Sequence, residues 1–252
     1  MRLLLFEGPA GSGKTTCLVH RVRLQLEDHP LDRDQRVLAL TRIHGSRRRI
    51  EACLQTQDGG IGHRFDSFTV DAFAWRLTRR WRSLVEVKFG MALTDELSWN
   101  ENSVLAGRLL EDPLVASWVA ATYPVVAVDE MQDSKGGQLE VIKGLAEVTE
   151  CIAAADGFQD LSGDGENQAV AWAHEAGTVR ELRTIHRTDV RGILDAANAI
   201  RTRVGVTNGV GFEVKAAFSH NMAAGLLARW LTFWSRGKET DIAILTPTAK
   251  PP

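Results

Sequence analysis

Gly8-Pro9-Ala10-Gly11-Ser12-Gly13-Lys14-Thr15 lies between the apolar run Leu3-Leu4-Leu5-Phe6 and a helical pattern that begins near Lys14. Strand, glycine-rich loop and helix follow in that order, and the octet fits GxxxxGK[ST] in full. Glycines let successive backbone N–H groups curl around a phosphate, and the helix N-terminus adds a favourable dipole. Lys14 is expected to reach the β- and γ-phosphates, and the Thr15 hydroxyl to join a Mg²⁺ shell. Taken alone, the loop implies a bound nucleoside triphosphate and no particular reaction.

A second site stands downstream. Val125-Val126-Ala127-Val128-Asp129-Glu130 is an apolar strand that ends in two carboxylates. In a parallel α/β sheet ligands gather at the carboxyl ends of strands, the edge onto which the phosphate loop also opens. Asp129 is expected to hold Mg²⁺ and Glu130 to polarise an attacking water. The plainer reading makes the pair a cap for the next helix, but that does not explain two adjacent acids ending a hydrophobic strand. A glutamate placed for water favours a hydrolase over a small-molecule kinase.

Short apolar runs alternate with helical patterns along the chain, the rhythm of a parallel sheet with helices on both faces. Strands are expected at 2–6, 36–40, 65–68, 124–128, 150–155 and 178–182, and later at 212–217 and 241–245. Between 84 and 123 the strand rhythm stops; Leu105, Leu109, Leu110, Trp118 and Val119 read as helical. The expected organisation is one α/β domain from 1–82 and 124–186, a small helical insertion at 83–123, and an incomplete second α/β domain from 187–252. The chain stops soon after its last expected strand, so it is expected to be a piece of a longer protein.

Composition sets outer limits. Lysine plus arginine number 30 and aspartate plus glutamate 32, a formal net charge of −2, so any nucleic-acid surface must be local. The three cysteines are scattered without metal-site spacing, which fits reduced thiols. No apolar run approaches the ~18–20 residues that span a bilayer. The chain is expected to be cytoplasmic, with no membrane partner.

Asp129-Glu130-Met131-Gln132-Asp133 resembles the DExQD box of UvrD/Rep-like superfamily 1 DNA helicases, and further segments follow in that family's order. Val37-Leu38-Ala39-Leu40-Thr41 resembles the second strand and the start of the motif that touches single-stranded DNA. Thr69-Val70-Asp71-Ala72-Phe73-Ala74-Trp75-Arg76-Leu77 is similar to T-F-H-x-x-A-x-x-L, with Asp71 in the place of histidine. Ala155-Asp156-Gly157-Phe158-Gln159 resembles the G-D-x-x-Q box, and Leu182-Arg183-Thr184-Ile185-His186-Arg187-Thr188 the L-x-x-N-Y-R-S segment. The resemblance implies a RecA-like P-loop NTPase fold, ATP and Mg²⁺ as ligands, and single-stranded DNA as partner. It assigns Gln159 to sensing the γ-phosphate, Arg187 to the role of arginine finger, His186 to stacking on the base, and Thr41, Arg42, Asp71 and Trp172 to the DNA.

The departures matter as well. Thr16 follows the phosphate loop where the family carries arginine, His186 replaces tyrosine, and the glutamine-bearing segment that reads adenine has no counterpart before the first strand. The choice of ATP over another nucleotide therefore stays open. A second arginine finger would lie beyond the chain, so the 252 residues are expected to hydrolyse ATP slowly by themselves. Gln159 also reads as a turn residue, and Arg187 as a partner for Asp189 or Asp195. Two basic clusters, Arg47-Arg48-Arg49 and Arg76, Arg79, Arg80, Arg82 interleaved with Trp75 and Trp81, fit either DNA contact or solvated helix faces. The resemblance implies a helicase or translocase motor that couples ATP hydrolysis to movement along single-stranded DNA; a rival reading is an ATP-dependent DNA-binding switch that does not move.

Overall fold

A computed structural model of the chain describes residues 2–42, 44–55, 64–90, 93, 97–157, 167–202, 204–211 and 213–234. The chain divides into two compact units, 1–188 and 189–252. The first is an α/β layer structure. Its strands are β1 (Arg2–Glu7), β2 (Val37–Thr41), β3 (Phe65–Thr69), β4 (Val125–Val128), β5 (Glu150–Ala155) and β6 (Thr178–Glu181). They form one sheet in the order β3-β2-β4-β5-β1-β6, and every pairing in it is parallel. With the loop-bearing strand β1 between β5 and β6, and the carboxylate strand β4 one place beyond β5, the two chemical motifs open on the same edge.

Residues alternate between the two faces with the period of the pleat. Leu3, Leu5, Leu38, Leu40, Val126 and Val128 belong to one core, beneath α3 (Val70–Arg80), α5 (Trp99–Leu110), α6 (Pro113–Thr122), α7 (Gly137–Val148) and α8 (Gln168–Ala176). Val37, Ala39, Val125, Ala127, Ile152 and Ala154 belong to the other, beneath α1 (Lys14–Asp28) and α2 (His44–Gln55). β2 and β4 are buried along their whole length, whereas the edge strands β3 and β6 are only partly covered. Leu38, Leu40 and Ile152 are fully buried, and truncating any one to alanine costs about 2–5 kcal/mol by the usual cavity penalty.

Local chemistry starts these helices where they start. Thr69 caps α3 by accepting from the Ala72 amide at 3.2 Å. Ser98 and Glu101 form a reciprocal capping box on α5. Asp112, followed by Pro113, begins α6. The short helix α4 (Arg82–Phe89) stops at Gly90, which takes a left-handed conformation.

Helices within the stretch 83–123 pack into this core. Leu105, Leu109, Leu110, Val115 and Val119 are buried in the same cluster as Leu3 and Leu38. α5 and α7 approach closely because glycines face the contact. A Cβ at Gly107 would come within 2.9 Å of the Glu140 Cβ, and one at Gly144 within 2.8 Å of the Leu110 Cβ.

The second unit contains α9 (Arg191–Arg201) and α10 (His220–Trp234). The strand expected at 212–217 is corrected here: residues 213–217 form no strand. Glu213 and Lys215 pair their own side chains, both residues are exposed, and no described strand lies beside them to complete a ladder. The strand expected at 241–245 falls outside the described residues.

Candidate functional site

The phosphate loop is built at the handover from β1 to α1. The Gly8 amide donates to the Ala155 carbonyl at 3.2 Å, tying the loop to the end of β5. Gly11 and Gly13 have φ of 82° and 84°, which lets the chain curl back on itself. At Gly11 there is a second reason for glycine, since a Cβ would lie 2.7 Å from the Arg187 Cβ. Lys14 is buried, with Nζ donating to the carbonyls of Gly8 at 2.8 Å and Pro9 at 3.0 Å, and 3.7 Å from an Asp156 oxygen. Ser12 Oγ is buried and has no hydrogen-bond partner among the described residues. A curled loop, a buried lysine and an orphan hydroxyl together fit the phosphates of a nucleotide.

Thr15 and Asp129 meet across the sheet. The Thr15 hydroxyl lies 3.3 Å and 3.2 Å from the two Asp129 oxygens, the hydroxyl and carboxylate set that suits a hard divalent cation. Asp129 is held in line by its amide, which donates to the Leu40 carbonyl at 2.9 Å. Burial, and then the charge of neighbouring Glu130, push the Asp129 carboxyl up to about 6; the Thr15 hydroxyl and the charge of Arg49 act against them.

That shift gives a stability prediction. The folded-state value lies above the ~3.9 of an unfolded aspartate, so stability is lost as pH rises from about 4 through about 6. At neutral pH, without Mg²⁺, Asp129→Asn should therefore stabilise the protein by roughly 2–3 kcal/mol and raise its melting temperature by several degrees. At pH 4 the two proteins should melt together. Calorimetry at both pH values checks this, and equal melting at pH 7.5 would contradict it.

Glu130 has φ 54°, the sole positive value among the described non-glycine residues. Such strain costs of order 1 kcal/mol and persists only where its surroundings impose it. Here they do: Gln132 Nε2 donates to the Glu130 carboxylate at 2.7 Å. Gln132 is itself buried, its Oε1 accepting from the Asp156 amide at 3.0 Å and its carbonyl accepting from Asn167 Nδ2 at 2.8 Å. Asn167 also caps α8, accepting from the Val170 amide at 3.0 Å. One buried glutamine thus joins the carboxylate after β4, the end of β5 and the start of α8.

The segment after β6 folds over the loop. The Leu182 amide donates to the Glu7 carbonyl at 2.7 Å and the His186 amide to the Gly11 carbonyl at 2.8 Å. His186 and Arg187 are exposed beside the glycines, and the His186 Cδ2 would lie 3.9 Å from a Cβ at Gly13. Arg187 makes no ion pair among the described residues; Asp195 pairs with Arg191 at 3.6 Å. Ala10 and Thr16 are exposed on the loop and the first turn of α1. Gln159 lies outside the described residues.

The four residues assigned to DNA separate physically. Thr41 is fully buried at the end of β2. Both Asp71 oxygens are occupied, one by Ser103 Oγ at 3.0 Å and the other by Gln138 Nε2 at 2.7 Å, which pins α3 to α5 and α7. Trp172 packs on the main core from α8. Arg42 alone presents a half-exposed side chain, 3.9 Å from Asp133. The sequence reading gave no role to Gln132, Asp156 or Asn167. Gln132 and Asp156 sit inside motifs already noticed, but only the fold reveals that they bond to each other.

No family model and no curated protein sequence matches the chain. Among solved structures it is similar to the Pif1 helicase from Candida albicans, at 15% identity and a TM-score of 0.46, over 92% of this chain and 51% of that one. It is also similar to the cytoplasmic domain of the type VII secretion ATPase EccC from Thermomonospora curvata, at 15% identity and a TM-score of 0.35, over 71% of this chain and 19% of that one. The chain thus spans about half the length of the first and a fifth of the second. Its own sheet order and loop geometry define a P-loop α/β fold. Among the described residues, no helix is long and apolar enough to cross a membrane.

Proposed function

We propose that the chain is the nucleotide-hydrolysing part of a motor that acts on single-stranded DNA. The observation that carries the proposal is the strained Glu130, wired through Gln132 to Asp156 and Asn167 beside the loop that holds Thr15 and Lys14. A cap for the short turn after β4 would need no such wiring.

In this reading the loop amides, Ser12 and Lys14 bind the phosphates of ATP, and Thr15 and Asp129 hold Mg²⁺. The metal would neutralise charge that develops on the transferred phosphoryl group. Glu130 orients a water for in-line attack and takes its proton. Gln132 keeps that carboxylate turned toward the edge of the sheet. Arg187 supplies its guanidinium to the γ-phosphate, Gln159 senses that phosphate, and His186 stacks on the base. Because Asn167 both caps α8 and binds the Gln132 carbonyl, a shift at Glu130 is passed to the helix that carries Trp172.

Linkage tests this. If nucleotide and DNA act on one network, Mg²⁺ with a non-hydrolysable ATP analogue should change the affinity for an oligothymidylate, and the oligonucleotide should change analogue affinity by the same factor, about 5-fold or more. Fluorescence anisotropy and calorimetry on the 252-residue chain provide the two factors. Independent binding of the two ligands would contradict the proposal.

A further inference from the structure

The second basic cluster of the sequence forms a groove away from the nucleotide edge, on the flank of the edge strand β3. The groove has a volume of about 530 Å³ and is lined by Phe68, Trp75, Arg76, Arg79, Arg80 and Trp118, among others. Each guanidinium lies over a ring: Arg76 over Phe68 at 4.8 Å, Arg79 over Trp75 at 5.1 Å, and Arg80 over Trp118 at 4.3 Å. Trp118 is fixed from behind by an edge-on contact with Trp81 at 6.2 Å. Trp75 is 46% exposed, although it is a large apolar side chain.

A guanidinium held over a ring is restrained in position while its N–H donors can still meet an anion. Arg76 and Arg80 are exposed, and among the described residues neither pairs with a carboxylate. The nearby acids are committed elsewhere. Asp66 accepts from Arg36 Nε at 2.8 Å and from the Tyr123 hydroxyl at 2.7 Å, and Glu86 pairs with Arg82 at 3.1 Å. The flank therefore carries ring-anchored positive charge beside an exposed indole. Arg76 and Arg80 are one helical turn apart, about 6 Å along the axis, close to the stride between successive phosphates of an extended strand.

We infer that this groove is a second binding site for single-stranded nucleic acid, with two successive phosphates on Arg76 and Arg80 and a base stacked on Trp75. Guanidinium forks fit phosphate oxygens, and an exposed indole accepts any base, so the site reads backbone and stacking without sequence preference. An acidic peptide would use the cations but leave the indole without a role. Strand addition is disfavoured because the Phe65 carbonyl already accepts from Arg36 Nη2 at 2.8 Å. The site does not depend on the nucleotide chemistry proposed above, so either proposal can fail alone.

The test uses the 252-residue chain without nucleotide and a fluorescent oligothymidylate, titrated across a range of salt concentrations. Arg76→Ala/Arg80→Ala should lower the steepness of log affinity against log salt by about 1.4, from two single-strand phosphates at roughly 0.7 each. Trp75→Ala should weaken binding about tenfold and leave that steepness unchanged. An oligonucleotide carrying 5-iodouracil should photocrosslink to Trp75 in the unmodified protein, which needs no variant to fold. Unchanged affinity and slope in both variants, or crosslinks confined to other residues, would overturn the inference. So would a polyglutamate peptide that binds the groove in an Arg76- and Arg80-dependent way while the oligonucleotide does not.

Discussion

Lys14→Ala is expected to weaken Mg·ATP binding about a hundredfold, close to 3 kcal/mol. The lysine is poised for this role. It is buried at the mouth of the loop, where its ammonium bonds the Gly8 and Pro9 carbonyls, and its four-carbon stem can redirect it to a phosphate over a short path. Hydrogen bonds to charged groups contribute about 1.5–3 kcal/mol each, and water screens them little in a buried loop. The variant should still fold, because the core lies beneath the loop, not within it. Calorimetric titration of both proteins with Mg·ATP checks the prediction; equal affinities would remove Lys14 from the site.

Glu130→Gln should leave nucleotide affinity within about threefold of wild type and slow hydrolysis by 10²–10⁴, roughly the contribution of a positioned general base. Glutamine keeps the shape of the side chain and can still accept from Gln132 Nε2, so the strained turn at φ 54° should survive. What it loses is the ability to take a proton. The substitution also removes the neighbouring charge that helps to raise the Asp129 carboxyl, so Mg²⁺ binding should persist to somewhat lower pH. Rapid-quench hydrolysis with labelled ATP separates binding from chemistry. Undiminished turnover would place the base elsewhere.

The sheet was legible because its strands are short apolar runs with turn residues between them, and six of them appear where the pattern puts them. Residues 212–217 suggest a strand because Phe212, Val214 and Ala216 mimic strand alternation, yet a ladder needs a neighbour and that stretch has none among the described residues. The stretch 83–123 reads as helical from its sequence, and its packing against the sheet shows only in the fold. Its glycine contacts with α7, at Gly107 and Gly144, show only when both helices are in place. The loop residues and the Asp129–Glu130 pair stand out as candidates in the chain alone because each is a local pattern of adjacent residues, and the fold brings Thr15 within 3.3 Å of Asp129. The Glu130–Gln132–Asp156–Asn167 network could not, because its bonds join residues up to 35 positions apart. Asp71 is similar: a motif position suggested nucleic acid, whereas its oxygens serve three packed helices.

Single-turnover hydrolysis of γ-labelled ATP by the 252-residue chain, with and without a single-stranded oligonucleotide, tests the central claim most directly. The arrangement of Lys14, Thr15, Asp129 and Glu130 predicts slow phosphate release that accelerates when the oligonucleotide is added and disappears in Glu130→Gln. Release that ignores the oligonucleotide, or that persists at the wild-type rate in Glu130→Gln, would contradict it.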